Sequence, residues 1–220
     1  MTTIENRGPQ NDETMVTLVE RLRKPISWLS GIFGAFMAIF SAPPNPSAVF
    51  YEWMEILGLT LIIAALLGRI WSNLHIVGSK NTVLYHLGPY SLCRNPLYVS
   101  SFLGMTGVLL ATKTPLLLPP LILWFMIYYR WTVSAEERRL RALFGEHFET
   151  YCRETPRFVP RFSNYRPAGE ITVNLALIFR RVADSMWFLW IFVILEIIDL
   201  LKHTTLNGHN LIPILVQTPF

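Results

Sequence analysis

The chain has 220 residues, 52% hydrophobic and 15% charged, with mean hydropathy +0.37, which is more apolar surface than one water-soluble core consumes. A formal net charge of +4 and a pI near 9.2 admit a nucleic-acid binder, but the placement of the cations excludes it. Of the 19 Lys and Arg, all but Lys113 and Lys202 fall in the N-terminal arm, between Arg69 and Arg94, or between Arg130 and Arg181, as in loops on one side of a bilayer.

In chain order, residues 1–24 read as a polar arm ending in the basic "ERLRK", and 25–220 as the membrane domain. Five apolar runs follow: "ISWLSGIFGAFMAIF" from Ile26, "WMEILGLTLIIAALLGRIW" from Trp53, "PLYVSSFLGMTGVLLAT" from Pro96, "PLLLPPLILWFMIYY" from Pro115 and "MWFLWIFVILEIIDLL" from Met186. Each lies near the short end of the roughly 17 to 25 residues a spanning helix takes. The expected fold is therefore all-α, an integral membrane helical bundle of about five transmembrane helices. The basic segments and N-terminus are then cytoplasmic and the C-terminus is on the opposite side.

Lys113, Thr114 and Pro115 form the polar break between the third and fourth spans, which predicts a tight helical hairpin. Past the fourth span, "SAEERRLRALFGEHFETYCRETPRFVPRF" predicts a cytoplasmic amphipathic helix, with Leu140, Leu143 and Phe144 on one face and Gly145 as its C-cap, then a proline-punctuated tail. Glu196 and Asp199 share a face of the last span, where snorkelling into headgroups is expected. Cys93 and Cys152 with five scattered histidines give no metal-ligand spacing, so no metal site is expected.

The stretch "GPYSLCRNPLY", residues 88–98, carries the chemistry. Pro89 and Pro96 remove backbone donors and turn the preceding residues away from helix, so a rigid corner is expected at the foot of the third span. Such backbone survives at a membrane surface where it lines a cavity. Arg94 brings a positive charge to it, Tyr90 and Tyr98 bring amphipathic walls, and Glu136 and Glu137 arrive at the same level from the fourth span. A zwitterionic, partly aromatic ligand suits that set, and S-adenosylmethionine qualifies; the charges alone suit a nucleotide or a phospholipid headgroup equally.

"GPYSLCRNPLY" followed by "EERRLRALFGEHFETYCRETPRFVP" resembles the isoprenylcysteine carboxyl methyltransferase family, whose pattern is close to G-x-Y-x-x-x-R-[HN]-P-x-Y, E-E-x-x-L, F-G and a closing R-x-x-P. The resemblance covers residues 75–160, and phosphatidylethanolamine N-methyltransferases share the paired glutamates. It implies a membrane methyltransferase whose C-terminal segment covers S-adenosylmethionine in a cytoplasmic pocket, while a lipophilic substrate enters from the bilayer. By position it implies cofactor contacts at His75, Leu84, Tyr85, Tyr90, Asn95, Pro96, Tyr98, Glu136 and Glu137, with Arg94 and Tyr98 nearest the chemistry. Asn95 departs from the histidine of the eukaryotic enzymes. Thr132 departs from an arginine directed at the prenyl-cysteine carboxylate, so the substrate need not be a prenylated protein.

Two readings from other classes share part of the pattern. Sterol reductases carry a similar R-[HN]-P-x-Y turn but bind a nicotinamide cofactor and have many more spans. A non-catalytic membrane scaffold would retain the fold alone.

Overall fold

The computed structural model describes residues 36, 39–42, 49–76, 83–169, 175–206, 209–212, 214, 216 and 217. The N-terminal arm and most of the first apolar run lie outside these residues. Seven helices make up the bulk of the described residues: α1 (Val49–Ile76), α2 (Pro89–Leu92), α3 (Pro96–Ala111), α4 (Leu118–Phe144), α5 (Glu146–Glu154), α6 (Leu175–Ser185) and α7 (Trp187–His203). Among the described residues, four two-residue strands pair as β1 (Ser41–Ala42) parallel to β4 (Val216–Gln217), and β2 (Thr205–Leu206) antiparallel to β3 (His209–Asn210). The architecture is all-α, with these strands as small ties.

Among the described residues one helix, α1, is long and apolar enough to cross a membrane. Helix α3 is apolar but shorter, and α7 carries Glu196, Asp199 and Lys202. Large apolar side chains stand exposed along the helices, Trp53 at 65%, Met126 at 64% and Leu200 at 68%. Exposed apolar surface on this scale marks a face that meets lipid or protein.

Helices α1 and α3 form the central pair, and glycine lets their backbones touch. A Cβ on Gly58 would stand 2.7 Å from the Gly107 carbonyl oxygen, and one on Gly107 would stand 2.5 Å from that of Gly58. Close approach of small residues is how apolar helices associate where hydrophobic driving force is weak. Tyr51, Met54 and Leu110 bury together beside this crossing, and Ile62 and Ala65 are fully enclosed.

The hairpin after α3 turns through Lys113, which takes a positive φ of 56°, and a 3₁₀ turn at Pro115–Leu117. Helix α4 then returns along α3, with ring contacts Phe102–Phe125 at 4.6 Å and Tyr98–Tyr129 at 4.8 Å. The apolar fourth run and the charged segment after it are one continuous helix rather than a span followed by a separate one. No proline or glycine interrupts residues 121–144, so the chain changes its polarity without changing its conformation. Gly145 ends the helix at φ 50°, its N–H donating to the Arg141 carbonyl at 2.9 Å.

Asp199 is not left to snorkel. Lys113 Nζ donates to Asp199 Oδ2 at 2.8 Å and approaches Glu55 Oε2 at 3.2 Å, tying α1, the hairpin turn and α7 at one end of the bundle. The 16 residues of α3 separate this clasp from the proline corner by about 24 Å.

Candidate active site

The corner begins at Gly88, whose φ of 58° favours glycine and whose Cβ position is taken by the His75 ring, 2.2 Å from Nε2. Pro89 and Pro96 each stand at the first helical position, where the missing N–H has no intrahelical acceptor, so each starts a helix. Pro89 therefore opens the single turn α2 rather than preventing helix. Cys93 returns the chain to extended backbone between α2 and α3.

Residues 155–166 lie along this corner as a second layer. Arg94 N–H donates to the Pro156 carbonyl at 2.8 Å, Arg161 N–H to Leu92 at 2.9 Å, Gly88 N–H to Arg166 at 2.8 Å, and Asn95 Nδ2 to Arg157 at 3.0 Å. From α5, the Tyr151 hydroxyl donates to the Tyr90 carbonyl at 2.7 Å. Burial, the largest cause for both, pushes the Tyr90 and Tyr151 phenols well above their ordinary range, so both stay protonated. Burial likewise pushes the Cys93 thiol up to about 11.

A cavity of about 270 Å³ opens between the corner, α1, α4 and α6. Its wall brings together Leu84, Tyr85, Tyr90, Arg94, Asn95, Pro96, Tyr98 and Glu136 from stretches far apart in the chain. The Tyr98 hydroxyl donates to Glu136 Oε2 at 2.8 Å, which aims that carboxylate. A second hollow of about 440 Å³, walled by His86, Ser91, His147 and Glu154, shares Leu84 and Tyr151 with the first.

Two residues singled out by the sequence stand elsewhere. His75 is buried beneath Gly88, its Nδ1 2.9 Å from the Trp71 carbonyl, and does not line the cavity. Glu137 lies between two arginines, 3.7 Å from Arg94 Nε and 3.1 Å from Arg157 Nη2. Consecutive helical residues point about 100° apart, so one glutamate of the pair reaches the cavity and the other the ion pairs behind it. Among the described residues, Arg94 Nε and Glu137 Oε1 are buried without hydrogen bonds and meet in that 3.7 Å ionic contact.

The sequence reading missed Arg69, Asn73, Ser101, Arg181 and Asp184, which also line the cavity. Arg69 stands near the end of the second apolar run, at the head of the basic segment, and lies inside α1. A cation within a continuous apolar helix was the signal for it.

A sequence profile described as phospholipid methyltransferase matches residues 53–147. The Protein-S-isoprenylcysteine O-methyltransferase of Schizosaccharomyces pombe is 33% identical over 109 residues, 47% of this chain and 45% of that protein. The chain belongs to the phospholipid and isoprenylcysteine methyltransferase family. It is by family a membrane methyltransferase, and the matched stretch holds the whole corner and both glutamates. The chain is also similar to the cobalt-zinc-cadmium resistance protein CzcN of Cupriavidus metallidurans, 41% identical over 152 residues (67% of this chain, 70% of that one), and to the nickel-cobalt-cadmium resistance protein NccN of Alcaligenes xylosoxydans xylosoxydans, 38% identical over 146 residues (66% and 68%). No solved structure matches the chain.

Proposed function

We propose that the chain is a multi-pass membrane enzyme of about five spans, with the corner on the cytoplasmic side. It transfers a methyl group from S-adenosylmethionine to a lipophilic acceptor drawn from the bilayer, with isoprenylcysteine-like carboxylates the favoured class. The observation that carries this reading is the single cavity wall on which Arg94, Asn95, Tyr90, Tyr98 and Glu136 converge.

The donor set suits the cofactor. Arg94, whose buried Nε lacks a hydrogen bond, offers a cation to a carboxylate, and Glu136, steadied by Tyr98, offers an acceptor to an ammonium or a ribose diol. Tyr85 and Tyr90 provide aromatic wall for a purine. When bound, S-adenosylmethionine supplies an activated methyl on a sulfonium. The protein's part is to hold both reactants in line and to exclude water, which favours a reaction that disperses or cancels charge. The layer 155–166 stands over the corner as a water-excluding cover, and the exposed apolar helix faces take the lipid.

The test is label transfer from methyl-labelled S-adenosylmethionine in membranes containing the chain. Wild type should label an organic-extractable product, and Glu136→Ala and Arg94→Ala should each lose at least about tenfold, the size of one lost charge-assisted contact. Labelling unchanged by both substitutions would sink the assignment.

A further inference from the structure

The basic segment from Arg153 to Arg181 holds six arginines against two glutamates and belongs to none of the five apolar runs. Yet among the described residues the four most exposed large apolar side chains all lie within it: Val159, Phe162, Leu175 and Phe179, each at least 70% exposed. They stand in two groups. Val159 and Phe162 flank the exposed Arg161 in the layer over the corner. On α6, Leu175 and Phe179 share one face with Ala183, and Arg180 stands at its edge, while Arg181 turns to the cavity and Ser185 is buried against Arg69. Apolar surface gathered in this way, among cations, marks an interaction face.

Both groups are tied to one level of α1. The Tyr165 ring of the layer lies 6.1 Å from Trp71, and Ser185 of α6 takes a hydrogen bond from Arg69. Arg69 and Trp71 are about 3 Å apart along the helix axis and within about 10 Å of its end at Ile76. Helix α7 opens with Trp187 and Trp190, both exposed, and tryptophan gathers at the boundary between acyl chains and headgroups. Apolar side chains interleaved with arginine at that depth match an anionic lipid surface, whose acyl boundary takes the rings and branched chains and whose phosphates take the guanidiniums. A protein partner would not need the two groups tied to one membrane depth.

Resting on the topology proposed above, but on no feature of the reaction, we infer that the layer over the corner and α6 together form a docking face for the anionic cytoplasmic leaflet. Val159, Phe162, Leu175 and Phe179 enter the acyl boundary, and Arg161 and Arg180 meet lipid phosphates. Helix α6 also carries Arg181 and Asp184 of the cavity wall, so the docked face holds that side of the site against the membrane.

The test uses the full chain with Cys152→Ser, carrying a bimane label at Phe162→Cys, at Phe179→Cys or, as a control on the polar first turn of α5, at Glu146→Cys; Cys93 is buried and stays unlabelled. The protein sits in nanodiscs of phosphatidylcholine alone or in equal parts with phosphatidylglycerol, with some phosphatidylcholine bearing a nitroxide near the top of its acyl chain. In the charged nanodiscs, lipid quenching at positions 162 and 179 should exceed that at 146 by at least about threefold, and quenching by aqueous iodide should run in the reverse order. Added salt should weaken the lipid quenching. Arg161→Gln and Arg180→Gln should each shift the docking equilibrium at the neighbouring label about fivefold toward the undocked state in charged nanodiscs, and less than about twofold in phosphatidylcholine alone. Lipid quenching at 162 and 179 no greater than at 146 overturns the docking, and so does free iodide access in both lipids, which would leave the face to a protein partner. Quenching equal in the two lipids and indifferent to both arginine variants overturns the assignment to anionic lipid. No methyl donor or acceptor enters the measurement, so its failure is distinct from a failure of the methyltransferase reading.

Discussion

The contact between Tyr98 and Glu136 gives the sharpest test of how the cavity works. Tyr98→Phe removes one hydroxyl and keeps the ring, so the edge contact with Tyr129 at 4.8 Å survives and the change isolates a single hydrogen bond. That bond is 2.8 Å long, partly buried, and ends on a carboxylate. Hydrogen bonds to charged groups are worth about 1.5 to 3 kcal/mol, or about tenfold to more than a hundredfold in affinity. Because the pair is only partly buried, the lower end applies, so S-adenosylhomocysteine should bind Tyr98→Phe about tenfold more weakly by titration calorimetry. The loss belongs in KM for the methyl donor more than in kcat, since the hydroxyl orients Glu136 in ground and transition states alike. A double-mutant cycle with Glu136→Gln should return a coupling of about 1 kcal/mol or more. Additive effects, or a Tyr98→Phe affinity within about twofold of wild type, would refute the role given to this pair.

The paired glutamates should separate by phenotype. Glu137→Gln leaves Arg94 and Arg157 unbalanced where all three side chains are largely sheltered, and should lower unfolding free energy by about 3 kcal/mol, while Glu136→Gln mainly weakens ligand; equal destabilisation would contradict the geometry. Gly107→Ala drives a Cβ to 2.5 Å from the Gly58 carbonyl and should cost about 1 to 3 kcal/mol in a denaturation midpoint assay, more than Gly104→Ala, which meets only the Phe188 ring at 2.9 Å; the reverse order would mean that α1 and α3 are not the rigid pair. Burial raises Cys93 from 9.0 to about 11, so near pH 8 its thiolate is about a hundredfold scarcer than an ordinary one, and maleimide should reach it only after denaturation. Because the folded value exceeds the unfolded one, the stabilising contribution of the neutral thiol is whole below pH 9.0 and fades as the pH climbs through about 11. Rapid labelling of the folded protein would contradict the burial.

Much of this protein is written locally. The prolines at 89 and 96, the glycines at 88 and 145, and the apolar runs act within a few residues of themselves, so the corner, the helix starts and the end of α4 follow from steric rules and missing N–H groups. The order of motif residues likewise identifies the family, since it is a property of the chain. What no spacing gave is which side chains meet. One helical step separates Glu136 from Glu137, yet one reaches the cavity and the other is locked between arginines contributed by residues 94 and 157. His75 matches the motif by position but lies under Gly88, and Arg69, near the end of the second apolar run, lines the cavity with its guanidinium on Ser101 of α3. Local conformation depends on neighbours along the chain, whereas a site depends on the crossing of helices distant in sequence, and only packing sets which faces those crossings bring together.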